Sequence, residues 1–182
     1  AMAKALSGDT LYWWALAAEV VAFVLVAWFF FIRRWLKQQA IDRVVGPVDA
    51  TIAPERLTGG GTLLGKIRFT PRQTCMIKEI SWTVRGTERC RSGSGTSETT
   101  HEHEFFQKPG QCAANGRAIA GQAQLFDFAC PIPEGAPFSM ALGSNDLIWC
   151  AELRLHVDSC PVWSERFDFL VVPSPASGQL RP

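Results

Sequence analysis

Trp149-Cys150-Ala151-Glu152-Leu153-Arg154-Leu155-His156-Val157 is the stretch that decides the fold. Trp149, Ala151, Leu153, Leu155 and Val157 alternate with Cys150, Glu152, Arg154 and His156. A period of two is that of a strand with one face buried and the other in water. The same alternation recurs on either side. Ile80, Trp82 and Val84 alternate with Ser81, Thr83 and Arg85. Gly65, Ile67 and Phe69 alternate with Lys66 and Arg68, and Phe167, Phe169 and Val171 with Arg166 and Asp168. Asn115-Gly116 is a hairpin-turn signal between strands, and Ser92-Gly93-Ser94-Gly95 reads as a loop tip. No segment after residue 57 carries a helical stripe. The pattern predicts an all-β sandwich of about seven or eight strands over residues 58–173. A domain of that length buries a core without disulfides or metals.

Working outward, the N-terminal end has a different texture. Residues 11–32 carry a single charge, Glu19, and are closed by Arg33-Arg34. At about 1.5 Å per residue such a helix reaches roughly 33 Å, enough for a hydrocarbon core of about 30 Å. Tyr12, Trp13 and Trp14 at one end, and Arg33, Arg34 and Trp35 at the other, are the residues of interfacial anchors. The expectation is one transmembrane α-helix over residues 11–36, behind a tail at 1–10. A cleaved signal would have a shorter apolar run and a small-residue cleavage site, and neither is present here. Lys4 stands alone before the run, whereas Arg33, Arg34, Lys37 and Arg43 follow it. By the positive-inside rule the N-terminus lies outside and the C-terminal domain is cytoplasmic. Helical spacing collects Ala15, Ala18, Glu19 and Ala22 on one face, where small residues and a polar group suit a partner helix. Protonation of Glu19, or its reaching toward the headgroups, is the alternative. Residues 37–57 read as a connector, with a turn or two of helix stopped by Gly46-Pro47, and 174–182 as a polar tail.

The order of landmarks in residues 58–173 resembles the arrestin-like β-sandwich superfamily. The family's opening Gly and short strand match Leu64-Gly65-Lys66-Ile67-Arg68-Phe69, and its long strand ending in Gly matches residues 77–86. An aromatic strand with a Pro-rich exit is seen from Gly121 through Phe126-Asp127-Phe128 to Pro131-Ile132-Pro133 and Ala136-Pro137-Phe138-Ser139. The long strand within 147–158 and Phe167-Asp168-Phe169-Leu170-Val171-Val172-Pro173 complete it. The resemblance implies a protein-binding or scaffolding sandwich without catalytic machinery. Arrestins pair two such domains and carry a phosphate-sensing polar core; this chain has room for one and shows no counterpart of that core. Immunoglobulin-like sandwiches share much of the pattern.

Motifs of chemistry are incomplete. Gly60-x-x-x-x-Gly65-Lys66 continues with Ile67 where a P-loop needs Ser or Thr, and it runs into a strand, so no nucleotide is expected. His101-Glu102-His103-Glu104 offers two His on one strand face without a third ligand of telling spacing. Asp127, Asp146, Asp158 and Asp168 fall in strands or turns as solvated residues. From Ala40 onward fourteen Lys and Arg face fifteen Asp and Glu, interspersed, which is no footprint of a nucleic-acid binder. The six cysteines form no Cys-x-x-Cys. Cys75 and Cys90 bracket one long strand, so a bridge in an extracytoplasmic domain would join Cys90 to Cys112; in the cytoplasm all six are reduced.

These features predict a non-catalytic, membrane-anchored accessory subunit without cofactors. Its expected partners are membrane lipid and the other transmembrane subunits of a larger complex. Respiratory and photosynthetic complexes are the class of host. The alternative is a free-standing tethered binding module, extracytoplasmic and disulfide-bonded, that captures a soluble partner.

Overall fold

The computed structural model describes residues 6–93 and 97–173, with the backbone alone for 6–18 and Arg34. Two compact units result, residues 1–40 and 41–182. Helix α1 spans Leu6–Val44, so helix begins inside the expected tail. From Val20 to Phe31 every large apolar side chain is 55% to 76% exposed. Arg33 lies over the ring of Phe29, 5.2 Å from its centroid. Among the described residues no helix is long and apolar enough to cross a membrane. Part of the stretch expected to do so, residues 11–18, has no described side chains.

The second unit is a sandwich. β1 (Val48–Ala53), β3 (Thr62–Phe69) and β6 (Gln124–Pro131) form a three-stranded sheet in the order β1-β3-β6. The second sheet runs β2 (Arg56–Thr58), β9 (Trp163–Val172), β8 (Asn145–Val157), β4 (Cys75–Ser92) and β5 (Thr99–Ala118), with β7 (Met140–Leu142) on β8. All pairs are antiparallel except β2 with β9. Alternation matches burial: on β3, Leu63, Gly65, Ile67 and Phe69 are buried and their neighbours exposed. Ile80, Trp82 and Val84 on β4, and Trp149, Ala151, Leu153, Leu155 and Val157 on β8, face the same core.

Two expectations are corrected. Residues 37–57 are no mere connector: they hold the last helical turns, with Ile41 and Val45 in the core, and both β1 and β2. Asn115-Gly116 makes no hairpin. Asn115 (φ 52°) sits inside β5 between the partners of Glu79 and Ile77, level with Lys78, where β4 bulges against β8. The left-handed backbone that Asn tolerates is spent on a mid-strand kink.

The two sheets are joined at the centre by Trp82 of β4 and Phe128 of β6, stacked with centroids 4.9 Å apart at 17°. Each ring needs a glycine beneath it. A Cβ on Gly65 would fall 1.9 Å from the Phe128 ring, and one on Gly110 would fall 2.2 Å from the Trp82 ring. Gly65→Ala therefore displaces Phe128 from the stack and should cost about 2–3 kcal/mol. The melting temperature should fall by roughly 5–10 °C. Gly116→Ala, with nothing within 4 Å of the added methyl, should stay within about 0.5 kcal/mol in the same thermal denaturation.

Candidate functional site

The chain changes sheets between β1 and β2, through a cis Ala53–Pro54 bond. That step leaves the two sheets unpaired along one side. β1 bonds only to β3 among the described strands, and β2 covers β9 only at residues 170–172. The outer edge of β9 below residue 170 therefore has no strand partner among the described residues. Between the two edges opens a cleft of about 920 Å³.

Buried Trp149 and Phe169 lie deepest among the lining residues, with half-buried Ala50, Ile52, Ile148 and Phe167 around them and Arg56, Arg166 and Asp168 exposed. Trp149 is held from three sides. Its Nε1–H donates to Pro137 O at 2.9 Å, and the rings of Phe105 and Phe106 lie 5.3 and 5.2 Å away. Ser139 fastens β9: its N–H donates to Val171 O at 2.8 Å, and Val171 N–H donates to its Oγ at 2.9 Å. The cleft thus has a fixed apolar floor, charged groups at its mouth and two strand edges. Such a surface takes an extended segment by backbone pairing. Arg166 pairs with Asp168 at 3.1 Å and Arg91 with Asp146 at 3.2 Å, so local charge is largely compensated.

The outer face of the larger sheet carries a ladder of ion pairs. Arg89–Glu102 (2.9 Å), Arg85–Glu104 (3.6 Å), Arg85–Glu152 (3.7 Å) and Arg154–Glu152 (2.8 Å) cross or follow its strands. Glu102 and Glu104 are thus engaged, while His101 and His103 are exposed. Among the described residues no three His, Cys, Asp or Glu side chains gather as a metal set. Gly60 and Gly65 belong to a turn and to β3, with no helix following them.

Of the expected helix face, Glu19 and Ala22 are exposed, while the side chains of Ala15 and Ala18 lie outside the described residues. So do those of Tyr12, Trp13, Trp14 and Arg34; Arg33 and Trp35 are exposed. The Cys90–Cys112 bridge is corrected by the register. Cys90 faces His101, whereas Cys112 occupies the bulge opposite Ile80 and Ser81. At about 3.3 Å per residue the two stand roughly 30 Å apart, far beyond disulfide reach. The cleft is not visible in the sequence because residues 37–57, which hold β1, read as a connector. Val48, Ala50 and Ile52, alternating with Asp49 and Thr51 before Pro54, were its signal.

No family model matches the chain, and no curated protein is similar to it. The solved structures supply the class: the second unit has the arrestin-like β-sandwich fold. The chain is similar to the sporulation control protein Spo0M of Bacillus subtilis, with a TM-score of 0.52 and 13% identity over 68% of this chain. It spans 48% of that structure, about half its length. At such identity the likeness is one of fold alone.

The Ser139 latch carries a prediction. Ser139→Ala leaves the Val171 amide unsatisfied and should cost about 1–3 kcal/mol. Amide hydrogen exchange should show Val171 losing protection first, with β4 amides unaffected below global unfolding.

Proposed function

We propose that this protein is a non-catalytic, membrane-anchored accessory subunit whose sandwich braces or recruits a neighbouring protein. The observation that carries the reading is the surface of α1. Its apolar side chains from Val20 to Phe31 are exposed all round, Phe23 at 76%. Proteins that live free in water rarely expose a continuous apolar surface of this kind. Lipid and a partner helix between them would cover it, with Ala15, Ala18, Glu19 and Ala22 as the packing face. In sequence the stretch extends back to residue 11, which supplies the length a bilayer requires.

The sandwich supports the partner half of the proposal. Its cleft offers two strand edges and an apolar floor, features of a surface that binds a polypeptide.

Alkaline carbonate extraction tests the anchor, and native sizing in mild detergent tests the subunit role. The full chain should stay with the membrane pellet and migrate with partners. Val24→Arg with Ala27→Arg, each costing about 2.5–3.5 kcal/mol in a bilayer, should move it to the soluble fraction. Release of the unmodified chain by carbonate would overturn the anchor; migration as a lone 20.1 kDa chain would overturn the subunit role.

A further inference from the structure

Cys75 and Cys160 are brought together by the end of the β4–β8 ladder. Ile77 faces Val157, and Asp158 N–H donates to Met76 O at 2.9 Å, which continues the ladder by one residue. Cys75 is then level with Ser159. At Ser159 the backbone turns left-handed (φ 61°), and Cys160 N–H donates back to Val157 O at 3.3 Å. The turn keeps Cys160 at the end of the ladder where β4 begins with Cys75. Both cysteines are half-buried, both pack against the core, and both line one cavity of about 570 Å³ with Val44 and Arg117. Cys75 opposes Ser159, so Cys160 lies one residue past the opposed position, and the turn at Ser159 with the shared cavity is what places the two thiols together. A disulfide spans about 4.4–6.8 Å between Cα atoms.

The other four cysteines are placed elsewhere. Cys90 ends the far side of β4, Cys112 lies at the β5 bulge, Cys130 pairs with Leu63 in the smaller sheet, and Cys150 is buried in the middle of β8. None of these four lines the cavity that Cys75 and Cys160 share.

We propose that Cys75 and Cys160 are a redox site that closes to an intramolecular disulfide by exchange with a small disulfide such as oxidised glutathione. One thiolate attacks the glutathione disulfide and expels a glutathione thiolate. The second cysteine then attacks the mixed disulfide at the protein sulfur and expels the other. Two protein thiols are oxidised, one glutathione disulfide is reduced to two thiols, and the two protons go to the departing glutathiones. Burial holds both protein thiols above their ordinary pKa, with Cys160 adding to the rise at Cys75 and Asp158 to that at Cys160, so exchange is slow without a catalyst. The bond ties the start of β4 to the β8–β9 connection. It also adjoins the end of α1, because Arg72 and Gln73 N–H groups both donate to Val44 O. Closing a loop that holds most of the sandwich strands constrains the unfolded chain far more than the folded one.

The test uses the full chain in mild detergent, incubated natively with oxidised glutathione, alkylated and digested without reduction. Mass spectrometry should find the Cys75 and Cys160 peptides linked within one molecule, with the other four cysteines alkylated. The melting temperature should rise by roughly 5–10 °C and fall back with dithiothreitol. Cys160→Ser, close in size, should keep the reduced melting temperature within a few degrees and lose both the link and the rise. Stable mixed disulfides with glutathione on both residues, linkage to any other cysteine, or a link between two molecules would overturn the proposal.

Discussion

The stack of Trp82 on Phe128 is the constraint on which the sandwich depends. Each ring comes from a different sheet, and each passes over a backbone that has no side chain at that point, Gly110 or Gly65. The stack sets the separation of the sheets at their centre. Around it Ile80, Val84, Leu153 and Ile67 are almost fully buried, and among the described residues no polar or charged residue is buried with them. A stacked pair adds about 0.5–1.5 kcal/mol beyond the area it buries. Its larger effect is positional, because a ring on a glycine has one seat.

With the centre held, the sheets are free to part at one side, and the topology makes them do so. β1 and β2 are consecutive in the chain but belong to different sheets. The step at Pro54-Glu55 cannot carry a ladder across, so the cleft is a product of connectivity rather than of poor packing. The opposite edge is managed differently. β5, the outermost strand of the larger sheet, carries Glu102 and Glu104 in ion pairs and His101 and His103 beside them. Charge on an edge strand discourages pairing with another chain. One edge is thus blunted, while that of β1, with Ala50, Thr51 and Ile52, is not.

How much of this was legible in the sequence depends on the range of the interaction. The faces of β3, β4, β8 and β9 were read from alternation, since a strand's two faces differ within a few residues. The arrestin-like resemblance led to the same fold. Register is not legible: nothing local tells which residue of the long β5 faces Cys90, and so the expected partner, Cys112, lies roughly 30 Å along the strand from it. Asn115-Gly116 misled because a positive φ serves a kink as well as a turn. β1 is hard to read because Gly59-Gly60-Gly61 marks a turn so strongly that it looks like the domain's boundary. The proximity of Cys75 and Cys160 follows from a turn at Ser159, a residue with no glycine to announce it.

The helix and the sandwich pose the same problem of apolar surface and solve it differently. In the sandwich, Leu63, Ile67, Ile80, Leu153 and Val171 are covered by their own chain, at 0% exposure. On α1, Val20, Val24, Leu25, Phe30 and Phe31 stand at 55% to 66% with no described residue over them. Burying one such side chain is worth about 1.5–3 kcal/mol, so leaving them in water would cost several times the gain from any single contact. Native domains are stable by only about 5–15 kcal/mol. A surface of that size is therefore kept only where something apolar covers it. Under the proposed reading lipid and a neighbouring helix provide that cover, and Glu19, the one charge in the stretch, sits where a polar partner would have to meet it.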